Sequence, residues 1–504
     1  MVVRHGLVIG LGMILAAAPA LGQNSPGPAP SHARRATVAQ PTPVVTKPIA
    51  PPLMATSQAG VPHTLAEALA ATYANQPALQ AERAKLRATD ENVPQALAGW
   101  RPTVIMAGTA GYGDGMSRQF SGVSGGFLNA RTDRLIGTAQ ATLTQPLYTG
   151  GKVQASVNRA KNQVMAERAN LIAQEQTSFT NVVNAYVGVI QSQQLLGLNI
   201  NNEQVLAKQL QATNDRFRVG EITRTDVAQA EAALAGATAQ RQTAEGNLQT
   251  ARGTYQQVIG YLPPGDLVEP QPLALPVVNE QAATALAANN NPTVVNALFT
   301  DAADKDAVDV AFSQLLPQVS FQGQALQSNN AAARSDQLNG YQAVLQLSVP
   351  IYQGGAEYSA VRQAKQSEQQ ARKLVDDARR TAVQNAVQAW ETLVAAKAAA
   401  ASTREQINAN QVALEGTERE AIVGSRTTLD VLNAQQALLN SRVTLVQNLA
   451  QLVTASYGVA AALGRLTAHD LHLPVPLYDE TAYYNAVKDK WAGLGDYATD
   501  QPGR

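Results

Sequence analysis

Histidine, carboxylate and arginine side chains are the groups in this chain that could hold a metal, move a proton or build a charged ring, and they are sparsely placed. Among 504 residues there are five histidines and no cysteine. His5 and His32 lie in an N-terminal apolar run and the Pro-rich stretch after it, and His63 lies at the edge of that stretch. His469 and His472 share a helical spacing, but Pro474 and Pro476 follow closely and Asp470 is the one carboxylate beside them. A metal centre needs further ligands and outer partners that this pair lacks. The lack of cysteine removes disulfides, thiolate chemistry, Cys-containing zinc sites and an anchor on an N-terminal cysteine. No nucleophile elbow, phosphate loop or Gly-rich dinucleotide signature is present. The expectation is a chain without catalytic residues, cofactor or resident metal.

The acids at two equivalent positions say more. Val219-Gly220-Glu221-Ile222-Thr223 leads to Asp226, and Val423-Gly424-Ser425-Arg426-Thr427 leads to Asp430. Glycine just past a helix end takes the left-handed conformation without strain, and Thr with an acid three residues on makes a capping box. That pattern predicts two sharp helical turns. It also puts two equivalent tips on each chain, with Val219, Gly220, Val423 and Gly424 offered to partner proteins and acids close by.

Such tips need long helices to carry them, and the chain supplies these twice. From Lys152 to Val219 and from Ala356 to Val423 there is no proline, and Ala, Gln, Glu and Lys predominate. At about 1.5 Å per residue each segment is a helix on the order of 100 Å long. Ala371, Val375, Ala378, Ala382, Ala386, Ala389 and Leu393 step by three or four along the second and form one narrow apolar stripe. Return helices are expected over 223–259 and 427–463, and further helices over 64–98 and 280–313. Laid end to end, 223–259 and 280–313 match the length of one long helix, and 427–463 with 64–98 repeats the arrangement.

The duplication extends to the strands. Asn75-Gln76-Pro77 returns as Asn290-Asn291-Pro292, and Leu143 to Gly151 returns as Leu347 to Gly355. Between Gly108 and Pro146 the first copy is longer by 11 residues than the second, which is read as an exposed loop. Tyr341, Ala343, Leu345, Leu347 and Val349 alternate with mostly polar neighbours, as do Val319, Phe321, Gly323 and Ala325. Strands are expected at about 101–112, 135–148, 317–327 and 340–352. Each second strand runs into a Pro-x-x-x-Gly-Gly turn, Pro146 with Gly150 and Gly151, and Pro350 with Gly354 and Gly355. One face of these strands could meet lipid and the other water. Four strands cannot close a barrel in a bilayer, because an open edge leaves backbone groups without partners. Two chains would give eight strands and three would give twelve, and periodicity admits both.

Composition and termini complete the reading. Net charge is zero and aromatics are 5%, so no basic footprint for nucleic acid exists. A short positive start, the apolar run Gly6 to Ala18 and small residues before Gln23 read as a secretory signal peptide, residues 1–22. Nine prolines in 24–62 mark residues 23–62 as an extended or disordered linker. Repeat 1 is then 63–268, repeat 2 is 269–472, and 473–504 is a C-terminal tail.

The paired Pro-(Leu/Ile)-Tyr-x-Gly-Gly strand ends, the Val-Gly tips and Asp430-Val-Leu-Asn-Ala-Gln435 resemble the outer membrane efflux protein family over roughly residues 64–472. The resemblance implies a mainly α TolC-like channel-tunnel with a small β part. In it three copies share a 12-stranded outer membrane barrel, four strands from each, above a long periplasmic helical tunnel. It implies the exit duct of a type I secretion system or tripartite efflux pump. Its partners would be a periplasmic adaptor (membrane fusion) protein, an inner-membrane RND or ABC transporter, and outer membrane lipid. Asp430 matches an acid ringing the periplasmic entrance in that family, while Asn433 stands where a second acid would be. Arg426 and Asp226 match residues that link helices of the closed entrance, and Ala421 replaces the tyrosine that completes those links. The competing reading is a soluble periplasmic coiled-coil scaffold or adaptor, for which the helices alone would suffice. The alternating strands separate the two, since a scaffold has no use for them.

Overall fold

The computed structural model describes residues 60–123, 125–331 and 335–495. The expected signal peptide and all but the last residues of the linker lie outside the described residues, as does the end of the tail from 496. In chain order the elements are α1 (Leu65–Asn75), α2 (Pro77–Asp90), α3 (Asn92–Leu97), β1 (Thr103–Ser121), β2 (Gly126–Tyr148), α4 (Lys152–Arg218) and α5 (Arg224–Ile259). They continue with α6 (Glu280–Asn290), α7 (Pro292–Phe312), β3 (Gln318–Asn329), β4 (Gln337–Ser348), α8 (Ala356–Ile422), α9 (Thr428–Ala462) and α10 (Ala482–Val487). The chain is mainly helical, and α4 and α8 are both continuous over 67 residues.

Two expected helices are broken at their prolines. The 64–98 segment divides at Gln76 and again at Glu91, and 280–313 divides at Asn291. Proline pushes the residue before it out of the helical region, and Gln76 and Asn291 accordingly have ψ of 123° and 128°. Pro77 and Pro292 then start fresh helices at N1, where a missing N–H costs nothing.

The stacking partners also differ from expectation. α7 lies between α4 and α8, and so does α9. Asn291 Nδ2 donates to the Ala462 carbonyl at 3.1 Å, so α9 of the second repeat ends where α7 of the same repeat begins. α5 meets α1 instead, with the Tyr255 hydroxyl 3.4 Å from the Pro62 carbonyl. The connector 260–279 forces this exchange by crossing the bundle. Val268 N–H donates to the His63 carbonyl at 3.0 Å, and Leu273 N–H reaches Ser456 Oγ at 2.9 Å on α9.

The main core sits at this crossing. Phe179, Val182, Val183 and Tyr186 of α4 pack with Leu69, Leu79, Leu86, Tyr255, Ile259 and Leu466, all buried. The Tyr186 hydroxyl lies 2.7 and 2.8 Å from the carbonyl oxygens of His63 and Val268. A buried tyrosine thus satisfies its polar end on connector backbone. Away from this belt the helices meet through small residues. Ala371, Val375, Ala382 and Ala386 of the α8 stripe are buried, while Ala378, Ala389 and Leu393 are half-buried.

The four strands form one antiparallel sheet in the order β1-β2-β3-β4, so β1 and β4 are its edges. Residues 11 in number that were expected to make a longer loop lengthen strands instead. β1 and β2 have 19 and 23 residues against 12 each for β3 and β4. Their pairing extends as far as Ser121 with Gly126. The paired glycines after β2 and β4 all have positive φ, from 63° to 86°, which lets the chain turn directly into the helix that follows each pair. At Gly150 a Cβ would also come within 2.8 Å of the Ser313 carbonyl and the Leu316 Cβ.

Candidate functional site

Register sorts the sheet into two unlike faces. Val104, Leu143, Gly323 and Ala343 lie in one row across it, and Met106, Ala141, Ala325 and Tyr341 in the next row on the same side. On the opposite side Thr144, Gln322 and Val344 share a row, and Thr142, Gln324 and Gln342 share another. Gln322 Nε2 donates to Gln346 Oε1 at 2.7 Å, Gln342 pairs with Gln324, and Thr109 and Thr138 hydroxyls lie 2.6 Å apart. One face can therefore lie in hydrocarbon while the other is lined by uncharged hydrogen-bonding groups. Leu345, Leu347 and Met106 are more than half exposed in the single chain, as residues facing lipid would be.

At the far end of the helices both tips are built alike. Gly220 N–H donates to the Phe217 carbonyl and Glu221 N–H to that of Arg216, at 2.9 and 3.0 Å. Gly424 and Ser425 do the same to Ala421 and Glu420, at 3.3 and 3.0 Å. These crossed bonds are a Schellman closure with a left-handed glycine, φ 78° and 80°. The next helix starts at once. Thr223 and Thr427 cap α5 and α9, and Asp226 and Asp430 return the bond to the cap N–H at 2.9 Å each.

Hydrogen bonds from the Thr223 hydroxyl and N–H hold the Asp226 carboxyl below the ordinary range, and those from Thr427 do so for Asp430. Both acids thus stay ionised. Asn433 is exposed one turn further along α9. Val219 and Val423 are each 78% exposed at the extreme of their tips, beside Ile422 at 80%.

Arg426 and Asp226, the pair expected to link helices at the entrance, each find a partner within their own tip. Arg426 Nε binds Glu420 within its own tip at 2.9 Å, and Asp226 binds Thr223 within the other. Within this protomer the two tips are not joined by an Arg426–Asp226 pair among the described residues. A feature the sequence reading passed over is a matching clasp with inverted charge. Arg216 at the end of α4 binds Glu221 in the turn, whereas Glu420 at the end of α8 binds Arg426 in its turn. Opposite charges five or six residues apart across a Val-Gly pair were the signal available. Exposed clasps of this kind add little stability.

A sequence model of the outer membrane efflux proteins matches residues 68–261 and 284–465. The chain belongs to the outer membrane efflux protein family. It is 38% identical to the outer membrane efflux protein BepC of Brucella suis, over 87% of this chain and 93% of that protein. It is 25% identical to the outer membrane protein TolC of Escherichia coli, over 72% of this chain and 78% of that one. The Campylobacter jejuni CmeC outer membrane channel has a similar structure, with TM-score 0.69 and 14% identity, covering 84% of this chain and 89% of CmeC. The two-faced sheet and long helices are thus the family's channel fold, and the chain is an outer membrane efflux channel. Among the described residues, His469 and His472 included, no cluster of three or more metal-binding side chains is present.

Proposed function

We propose that three copies of this chain close a 12-stranded barrel and together act as a passive exit duct. Cargo is handed over by an inner-membrane RND or ABC transporter through a periplasmic adaptor. The observation that carries this reading is the sheet, with a hydrocarbon face, a Thr/Gln face and two unpaired edges, mounted on helices on the order of 100 Å long. Unpaired edges in lipid cost several kcal/mol per polar group, so copies must share them. Three copies give a lumen that eight strands would leave filled by side chains.

At the periplasmic end, Asp430 supplies one ring of carboxylates and Asn433 an uncharged ring beside it. Arg426 and Asp226 lie where the entrance narrows, and the exposed Val219, Gly220, Val423 and Gly424 meet the adaptor. The test is conductance and ion selectivity in planar bilayers. Asn at 430 can still accept from the Thr427 N–H, so Asp430→Asn removes charge while leaving the cap. Cation preference then falls with conductance largely kept. Unaltered selectivity would place Asp430 away from the conduction path.

A further inference from the structure

We propose that the C-terminal tail is a strap that climbs to the outer membrane and ends in a foot for the headgroups of its periplasmic leaflet. The strap is tied at successive points. Tyr478 N–H donates to the Tyr73 hydroxyl at 3.0 Å, and the Arg83 guanidinium lies 5.0 Å from the Tyr478 ring. The Tyr483 hydroxyl binds Glu91 Oε1 at 2.9 Å, and Arg101 Nη1 donates to the Lys490 carbonyl at 2.7 Å. The partners 73, 83, 91 and 101 follow one another along α1, α2 and α3 to the root of β1. The tail therefore ascends alongside them, and buried Val487 fixes its last helix, α10.

The ascent ends where the sheet enters lipid. β1 begins at Thr103 and its hydrocarbon-facing row at Val104. Just below, the Arg101 guanidinium stacks 4.8 Å from the Trp491 ring. Trp491 is 71% exposed, Leu494 is fully exposed, and Trp100 stands open next to Arg101. Tryptophan favours the boundary between hydrocarbon and water, where its ring is apolar and its N–H finds a polar partner. Lys488 and Lys490 shortly precede Trp491 along the tail, Lys488 with its ammonium 6.0 Å from the Tyr484 ring, and Asp489 is the one acid in residues 486–495. Lys490 Nζ spends one donor on the Gly495 carbonyl at 2.9 Å, which leaves others for phosphate. Cations beside an interfacial tryptophan suit phospholipid headgroups, anionic ones above all.

The test uses the full chain in nanodiscs of phosphatidylethanolamine and phosphatidylglycerol, with bromine on the acyl chains. Subtracting the spectrum of Trp491→Phe from that of the unaltered chain isolates the emission of Trp491. The proposal predicts that this component is blue-shifted and largely lost to bromine quenching. Its loss should shrink when Lys488→Gln and Lys490→Gln are combined, and more so in discs containing phosphatidylglycerol. A Trp491 component that bromines leave intact would overturn the proposal, whether it emits as in water or is blue-shifted by a neighbouring protomer. Equal quenching with and without the two lysines would overturn the headgroup contact.

Discussion

Asn291 and Ala462 lie 171 residues apart, yet the Asn291 amide donates to the Ala462 carbonyl at 3.1 Å and joins the ends of two stacked helices. The same side chain caps α7, its Oδ1 accepting from Thr293 N–H at 2.9 Å. Asn291→Ala removes both bonds. Loss of a cap alone costs about 1 kcal/mol, so the denaturant midpoint of the assembled protein should fall, whereas Asn289→Ala on the exposed side of α6 should leave it nearly unchanged.

Gly464 and Gly424 offer a matched comparison. Both have positive φ, 77° and 80°, but a Cβ at Gly464 would meet the Asn290 carbonyl oxygen at 2.6 Å while one at Gly424 meets nothing. Left-handed backbone costs a non-glycine residue roughly 1–2 kcal/mol. Gly424→Ala should show about that loss of stability, and Gly464→Ala a larger one because the junction of α9 and α7 must also part. Equal losses in thermal denaturation would mean that the close approach at Gly464 is relieved freely.

Much of this was legible because it rests on local chemistry. The Val-Gly and Thr-x-x-Asp pairs define both tips, since each satisfies the orphan backbone groups of a helix end from within five or six residues. The strand faces were visible from alternation at Val319 to Ala325. What stayed hidden depends on distant contact. Nothing near Asn291 names Ala462 as its partner, and nothing in residues 113–135 distinguishes a longer hairpin from a longer loop. The broken helices were readable at Pro77 and Pro292, where length matching had obscured the proline signal.

Asp90 sets a pH dependence. It is fully buried at the end of α2, and burial pushes its carboxyl up to about 7, with Arg168 opposing and Glu91 and Glu480 adding to the rise. Because the folded protein binds this proton more tightly than the unfolded chain, stability falls as pH rises from about 4 to about 7. Asp90→Asn should flatten that part of the stability profile and raise the denaturation midpoint at pH 8. A profile that keeps its slope in the variant would assign the effect to other groups, such as Glu175, whose carboxyl burial also raises.

The two faces of the sheet predict opposite tolerances. Leu345→Arg puts a charge on the hydrocarbon side, at a cost of about 2–4 kcal/mol near mid-bilayer, and should sharply lower the yield of membrane-inserted assembly. Gln346→Arg, one residue on, faces the Thr/Gln side and should insert normally while shifting ion selectivity toward anions. Gel shifts of unheated samples and bilayer recordings would separate the two.

The central claim is that a sheet with free edges at β1 and β4 closes by sharing them among three copies. The chain has no cysteine, so pairs placed along Thr103–Thr109 of β1 and Gln342–Ser348 of β4 can be oxidised in the membrane without background. These edges are at opposite sides of one protomer's sheet. The prediction is a covalent ladder of one, two and three chains that stops at three. A ladder that stops at two, or cross-links that never leave the monomer, would contradict it.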